Sequence, residues 1–210
     1  MTIAEQPNAA GLVERVRAII VRPAPTWDVI ETEPATVRSL YVGYILPLSA
    51  IGPVCHAVGI LAFGTRGALG LGYRPPVATV VGAAALNWLF SLVGAYLVAL
   101  AIDAMAPLFG ARRDFVRSLK LVAYATTAAW IAGAFSLFPP LSILFVLGAA
   151  YSLYLLHLGL PRLMKVEGDK ALIFKVCAAA VALIGGFLVG IVTNAVLGPL
   201  MMATGAVPVG

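Results

Sequence analysis

Apolar residues fill this chain in long blocks, and short polar connections separate them. A helix crossing a bilayer needs about 20 mostly apolar residues. Five blocks reach that length: 40–63, 77–101 with an extension to 109, 119–138, 141–160 and 174–197. The third and fourth are parted only by Phe138-Pro139-Pro140. Proline cannot continue a helix interior but suits a first turn, so this junction predicts a tight helical hairpin. One helix of about 40 residues would overshoot the bilayer nearly twofold. Pro47 and Pro53 lie inside the first block and predict kinks there. The expected fold is all-α: an integral membrane bundle of five transmembrane helices with an N-terminal amphipathic interfacial helix.

That helix is read from the segment before the blocks. Leu12, Val13, Val16, Ile19 and Ile20 recur at helical spacing, with Glu14, Arg15 and Arg17 between them. The pattern predicts a helix over 11–21, lying in the cytoplasmic interface or packed under the bundle. Pro23 and Pro25 should end it. Trp27 and Ile30 would then anchor a second interfacial turn, and Arg15, Arg22 and Trp27 are the expected interfacial anchors. The domain reading is a cytoplasmic segment over 1–38, a five-helix domain over 39–197 and an uncharged tail over 198–210. Residues 201–210 are expected to lack order. The first 38 residues hold no long apolar core, and the first block exceeds a signal h-region, so no cleavable signal is read.

Composition sets the medium. Of 210 residues, 61% are hydrophobic and 11% charged, against about 25% charged in soluble domains. A compact soluble fold of this size still exposes about a third of its surface. Hydrocarbon is therefore the expected surroundings of the apolar blocks. The formal charge of +5 is spread in short clusters between blocks and does not point to nucleic acid. Arg15, Arg17, Arg22, Arg38, Arg112, Arg113, Arg117, Lys120, Arg162, Lys165, Lys170 and Lys175 fall on one set of alternate connections. Arg66 and Arg74 alone fall on the other. Twelve against two places the N-terminus in the cytoplasm and the C-terminus outside. Tyr41 and Tyr44 at the inner end, with Phe135 and Phe138 at the outer, suit aromatic belts.

Candidate chemistry is sparse. Asp103 is the only acidic residue within an apolar block. It reads as a proton or cation site, or as an interfacial carboxylate paired with Arg112, Arg113 or Lys120. Asn87, His56, His157 and Asn194 are the other candidate functional polar residues inside spans, with Thr126, Thr127 and Thr193 as hydrogen-bonding residues. Gly186 and Gly190 form a G-x-x-x-G pair, and Ala125, Ala129 and Gly133 repeat the same step. Both stripes are expected to pack helices inside the bundle. Cys55 and Cys177 read as small buried hydrophobes. No metal, cofactor or catalytic residue is expected. The chain holds no Gly-rich phosphate loop, no H-E-x-x-H and no G-x-S-x-G.

The order of several short patterns carries a resemblance. Arg22-Pro23 and Trp27-x-x-Ile30 lead to Tyr44-Ile45-Leu46-Pro47-Leu48. Leu119-Lys120-Leu121-Val122-Ala123-Tyr124-Ala125-Thr126-Thr127 and Trp130-Ile131-Ala132-Gly133 follow. Tyr151-Ser152-Leu153-Tyr154-Leu155-Leu156 and Gly159-Leu160-Pro161-Arg162-Leu163-Met164 close the series. Together they resemble the bacterial branch of the Yip family, whose eukaryotic members interact with Ypt/Rab GTPases. The resemblance implies a five-span bundle in a bacterial inner membrane with a cytoplasmic N-terminus, and it brings no catalytic residues; the vesicle-traffic role of the eukaryotic members does not carry over to a bacterium. The family often has Thr-Pro in the third span. This chain has Thr127-Ala128, which removes the sequence reason for a kink there.

Two functions compete at this level. One is a non-enzymatic scaffold or accessory subunit, binding membrane lipids, other membrane proteins or a second copy of itself. The other is a small transporter or channel with a polar path around Asp103. Lipid handling or curvature sensing by residues 11–30 is a third.

Overall fold

The computed structural model describes residues 9–66, 72–141, 143–166, 169–203 and 207–208. Two short helices open the described chain, α1 (Ala9–Val21) and α2 (Pro23–Thr32). Pro23 starts α2 as well as closing α1, since its missing N–H is harmless in a first turn. A capping box between Thr36 and Ser39 then launches α3 (Val37–Leu40). It continues through a π-turn (Tyr41–Ile45), α4 (Leu46–Ser49) and α5 (Ile51–Phe63). The two irregularities precede the two prolines. A proline ring in a regular helix would strike the carbonyl four residues back. Before Pro47 the helix widens, and Leu46 N–H reaches Tyr41 O. Before Pro53 it breaks at Ala50.

A two-strand hairpin, β1 (Thr65–Arg66) and β2 (Gly72–Arg74), leads into α6 (Val77–Met105) and a 3-10 turn (Ala106–Phe109). Asp114 accepts from Arg117 N–H and caps α7 (Phe115–Ala125). After it come α8 (Thr127–Ala132), 3-10 turns at Gly133–Leu137 and Pro139–Leu141, α9 (Leu144–Met164) and α10 (Asp169–Ala203). The tail departs from expectation. Residues 201–203 extend α10, and β3 (Val207–Pro208) pairs antiparallel with β2. Residues 204–206, 209 and 210 lie outside the described residues.

Among the described residues, four helices are long and apolar enough to cross a membrane: Val37–Phe63, Val77–Phe109, Leu144–Met164 and Lys170–Val196. The block expected to be the third span is not one regular helix. It divides at Thr126 into α7 and α8 and then tightens to 3-10 geometry. Local side-chain bonds accompany the break. Thr126 Oγ1 donates to Val122 O at 2.7 Å, and Thr127 Oγ1 to Tyr124 O at 2.8 Å, which is the back-bonding known to bend helices. Ser152 Oγ on α9 accepts from Ala129 N–H at 3.0 Å. An interruption therefore exists without the proline that the sequence comparison required.

Small residues set the close approaches. A Cβ on Gly133 would lie 2.7 Å from Gly52 Cα, and one on Gly148 would lie 2.2 Å from Ala132 Cβ. The second contact joins the two arms of the hairpin expected at Pro139-Pro140. Gly186 and Gly190 behave otherwise: a Cβ at either would meet nothing within 4 Å. Their expected role in packing the interior is corrected. Gly94 and Gly185 hold α6 against α10 instead, facing Val189 and Val98.

Buried side chains collect at the end of the bundle that carries the basic connections. Ile19, Trp27 and Ile30 share one core with Leu119, Leu160 and Phe174, each fully buried. The described part of the segment 1–38 thus contributes side chains to the core of the bundle. Toward the opposite end, α10 keeps Ile184, Phe187, Leu188 and Ile191 exposed. Such an apolar exterior suits hydrocarbon and not water.

Candidate functional site

The densest polar structure is the seam that binds α2 to α7 and α9. Trp27 is its wedge. The indole lies edge-on to Tyr124, centroids 6.2 Å apart, and a Cβ on Gly159 would come within 2.6 Å of its ring. Only glycine at 159 lets the indole sit this close to α9. Tyr124 packs in turn on Tyr44 at 4.5 Å, and the Tyr44 hydroxyl is 2.7 Å from Thr127 Oγ1.

Lys120 closes the seam. Its side chain is 5% exposed, and Nζ donates to Ile30 O at 2.5 Å and Glu33 O at 2.7 Å. These carbonyls end α2, where a helix lacks internal donors and favours a cation. Ion pairs finish the rim. Arg15 bonds Glu33, Arg162 bonds Asp28 at 2.6 Å, and Lys165 bonds Glu31 at 3.0 Å. Tyr151 OH donates to Ile20 O at 2.7 Å and fixes the end of α1.

The three expected interfacial anchors differ in their surroundings. Trp27 is fully buried against protein, and Arg15 pairs with Glu33. Arg22 alone remains exposed. Of the two placements open for the N-terminal helices, the structure has them packed on the bundle.

The candidate polar residues of the spans are not brought together. Asp103 on α6 is 9% exposed, and its Oδ1 is buried without a hydrogen-bond partner. It forms no ion pair with Arg112, Arg113 or Lys120, and Lys120 is engaged at the end of α2. Asn87 is half-buried, while its neighbour Trp88 makes the contacts, donating Nε1 to Ser49 Oγ at 3.0 Å and Leu46 O at 3.2 Å. His56 and His157 are exposed. Asn194 is exposed and donates to Gly190 O on its own helix at 2.9 Å. No hydrogen bond joins any two of these five among the described residues. Cys55 and Cys177 are free and half-buried. Among the described residues no three His, Cys, Asp or Glu side chains are grouped to hold a metal ion.

The seam and the contacts around it contain residues that sequence reasoning did not single out as a site: Lys120, Gly159 and Tyr151, with Ser152 on the neighbouring contact between α8 and α9. One signal was present. Lys120 interrupts Leu119-Lys120-Leu121-Val122, and a cation inside an apolar run needs a partner.

The ordered patterns noted above also find a match beyond this chain. The family model of the Yip1 domain matches residues 17–203. The chain belongs to the Yip1 family. The match runs from the second half of α1 to the end of α10 and includes Trp27, Lys120 and Gly159. Among curated proteins, the Yip1 chain is 22% identical over 175 residues to Inner membrane protein YohC of Escherichia coli strain K12, covering 82% of this chain and 90% of the relative. Its counterpart in strain CFT073 matches equally. No solved structure matches this chain.

Proposed function

We propose that this Yip1-family chain is a multi-pass protein of the bacterial inner membrane that acts without catalysis, as a scaffold or accessory subunit. The 115–137 segment completes a fifth crossing, and the N-terminus lies in the cytoplasm with the C-terminus outside. The inner-membrane relatives and the twelve-to-two charge asymmetry support this placement. One observation carries the role. Gly186 and Gly190 stand on the outward face of α10 with open space before them, while every close glycine contact inside the bundle uses other positions. A small-residue face in lipid lets another helix approach closely, so a second transmembrane protein or a second copy is the natural occupant. Native mass spectrometry from mild detergent tests this. A higher-order or mixed complex that Gly190→Leu dissociates is the expected result. A lone monomer in wild type contradicts it.

One observation favours the transporter reading: a buried Asp103 oxygen without a donor. That reading predicts that Asp103→Asn abolishes ion flux in reconstituted vesicles. Absent flux through the wild-type protein removes it.

A further inference from the structure

A groove of about 720 Å³ runs between α1 and the α8–α9 pair. That volume lies within the roughly 300–1,000 Å³ typical of small-ligand sites. Val16 and Ile20 wall it on α1, and Ile131, Phe135, Leu144 and Leu147 wall it on α8, the following turn and α9. The Tyr151 bond to Ile20 O pins α1 in place, so the two walls are held apart by structure and not by chance. Arg17 is the one charged residue in the lining among the described residues.

The charges around the groove are sorted. Arg15, Arg162 and Lys165 each hold an acidic partner within the chain. Arg17 does not, and its guanidinium makes no hydrogen bond among the described residues. Arg22, one residue beyond the end of α1, is exposed and equally unpaired. Glu14 is exposed, lies outside the lining and bonds to neither. An unpaired guanidinium beside an apolar slot fits an anion whose remainder is hydrocarbon. Arginine matches phosphate oxygens with two parallel N–H donors, and its long stem reaches from an apolar wall to a polar head. Among the described residues no acidic side chain lines the slot to receive an ammonium, which favours a headgroup of net negative charge over a zwitterionic one.

We infer that the groove between α1, α8 and α9 binds one anionic phospholipid. An acyl chain lies along α8 and α9 toward Phe135 and Leu144, and Arg17 holds the phosphate with Arg22 beside it. The site rests on the membrane placement proposed above, but not on the scaffold role.

The test is native mass spectrometry of the full chain in mild detergent, titrated with phosphatidylglycerol and with phosphatidylcholine. Wild type is expected to retain phosphatidylglycerol about fivefold more, the size expected for one basic residue on an anionic lipid. Arg17→Gln brings the two lipids level. Arg112→Gln, an exposed arginine outside the groove, leaves the preference intact. Leu147→Trp replaces an exposed wall residue that tolerates bulk, so the protein folds and retention of both lipids falls. Equal retention by wild type, an unchanged preference in Arg17→Gln, or equal loss in Arg112→Gln overturns the site. Bound protein and bound lipid differ in mass, so a missing partner and a missing lipid are read separately in one spectrum.

Discussion

A single ammonium group joins the N-terminal layer to the bundle. Lys120 Nζ serves two carbonyls at the end of α2, and those carbonyls are left without a donor if it is removed. Lys120→Met keeps length and apolar bulk but loses the donors. The expected cost is about 1–3 kcal/mol, the range for a buried acceptor left unsatisfied. It should appear as a lower melting temperature in detergent and as faster protease cleavage within 9–32. An unchanged cleavage rate would show that the contact holds nothing down. Gly159→Leu attacks the same seam from the other side, because its side chain must occupy the space of the Trp27 ring. Overpacking of this kind costs about 1–3 kcal/mol. In a variant whose only tryptophan is Trp27, emission should shift toward that of a wetter indole; an unshifted spectrum would mean the wedge tolerates displacement. The sequence signals that Lys120 needs a partner but not which one, and it gives no sign of Gly159. Charge counting records which leaflet Lys120 faces, not that its partner Ile30 lies 90 positions away. Gly159 reads as one more small residue until the indole beside it is seen.

At the scale of elements, apolar run length located four of the five expected spans as long apolar helices, and the third block is segmented instead. Prolines signalled the irregular first span correctly, since their steric effect acts on neighbours in sequence. The break in the third block has a different origin. Thr126 and Thr127 bond backward to their own helix, and Ser152, on a separate helix, takes up Ala129 N–H. A tertiary hydrogen bond of this sort leaves no periodic trace. Ser152→Ala should cost about 1 kcal/mol, as expected for one interhelical bond in lipid, and should speed amide exchange at Ala129. Unaltered exchange there would assign the break to the threonines alone. The N-terminal helices teach a related lesson. Their 3.6-residue pattern was visible, but a pattern with one apolar face does not say whether lipid or protein covers it. Trp27 and Ile30, with no exposed surface, answer that for α2. On α1, Val13 and Val21 remain exposed beside the groove assigned to lipid.

For the whole molecule, two properties reinforce each other. Buried side chains gather where α1 and α2 close over α7 and α9, while exposed apolar side chains run along α10 from Leu172 to Val196. The basic connections mark the same polarity along the bundle. Together they suit the placement proposed above, a body standing in a bilayer with its polar, interlocked end toward the cytoplasm. The proposed odd number of crossings requires the segmented 115–137 stretch to pass through the membrane despite its irregular backbone, which burial against other helices permits. Topology is the direct way to decide. A phosphatase and a fluorescent reporter, each active on only one side of the inner membrane, can be fused in turn before Met1 and after Gly210. Five crossings predict that the phosphatase works only at the C-terminal fusion and the fluorophore only at the N-terminal one. The same reporter active at both ends would contradict the odd count and the bundle built on it.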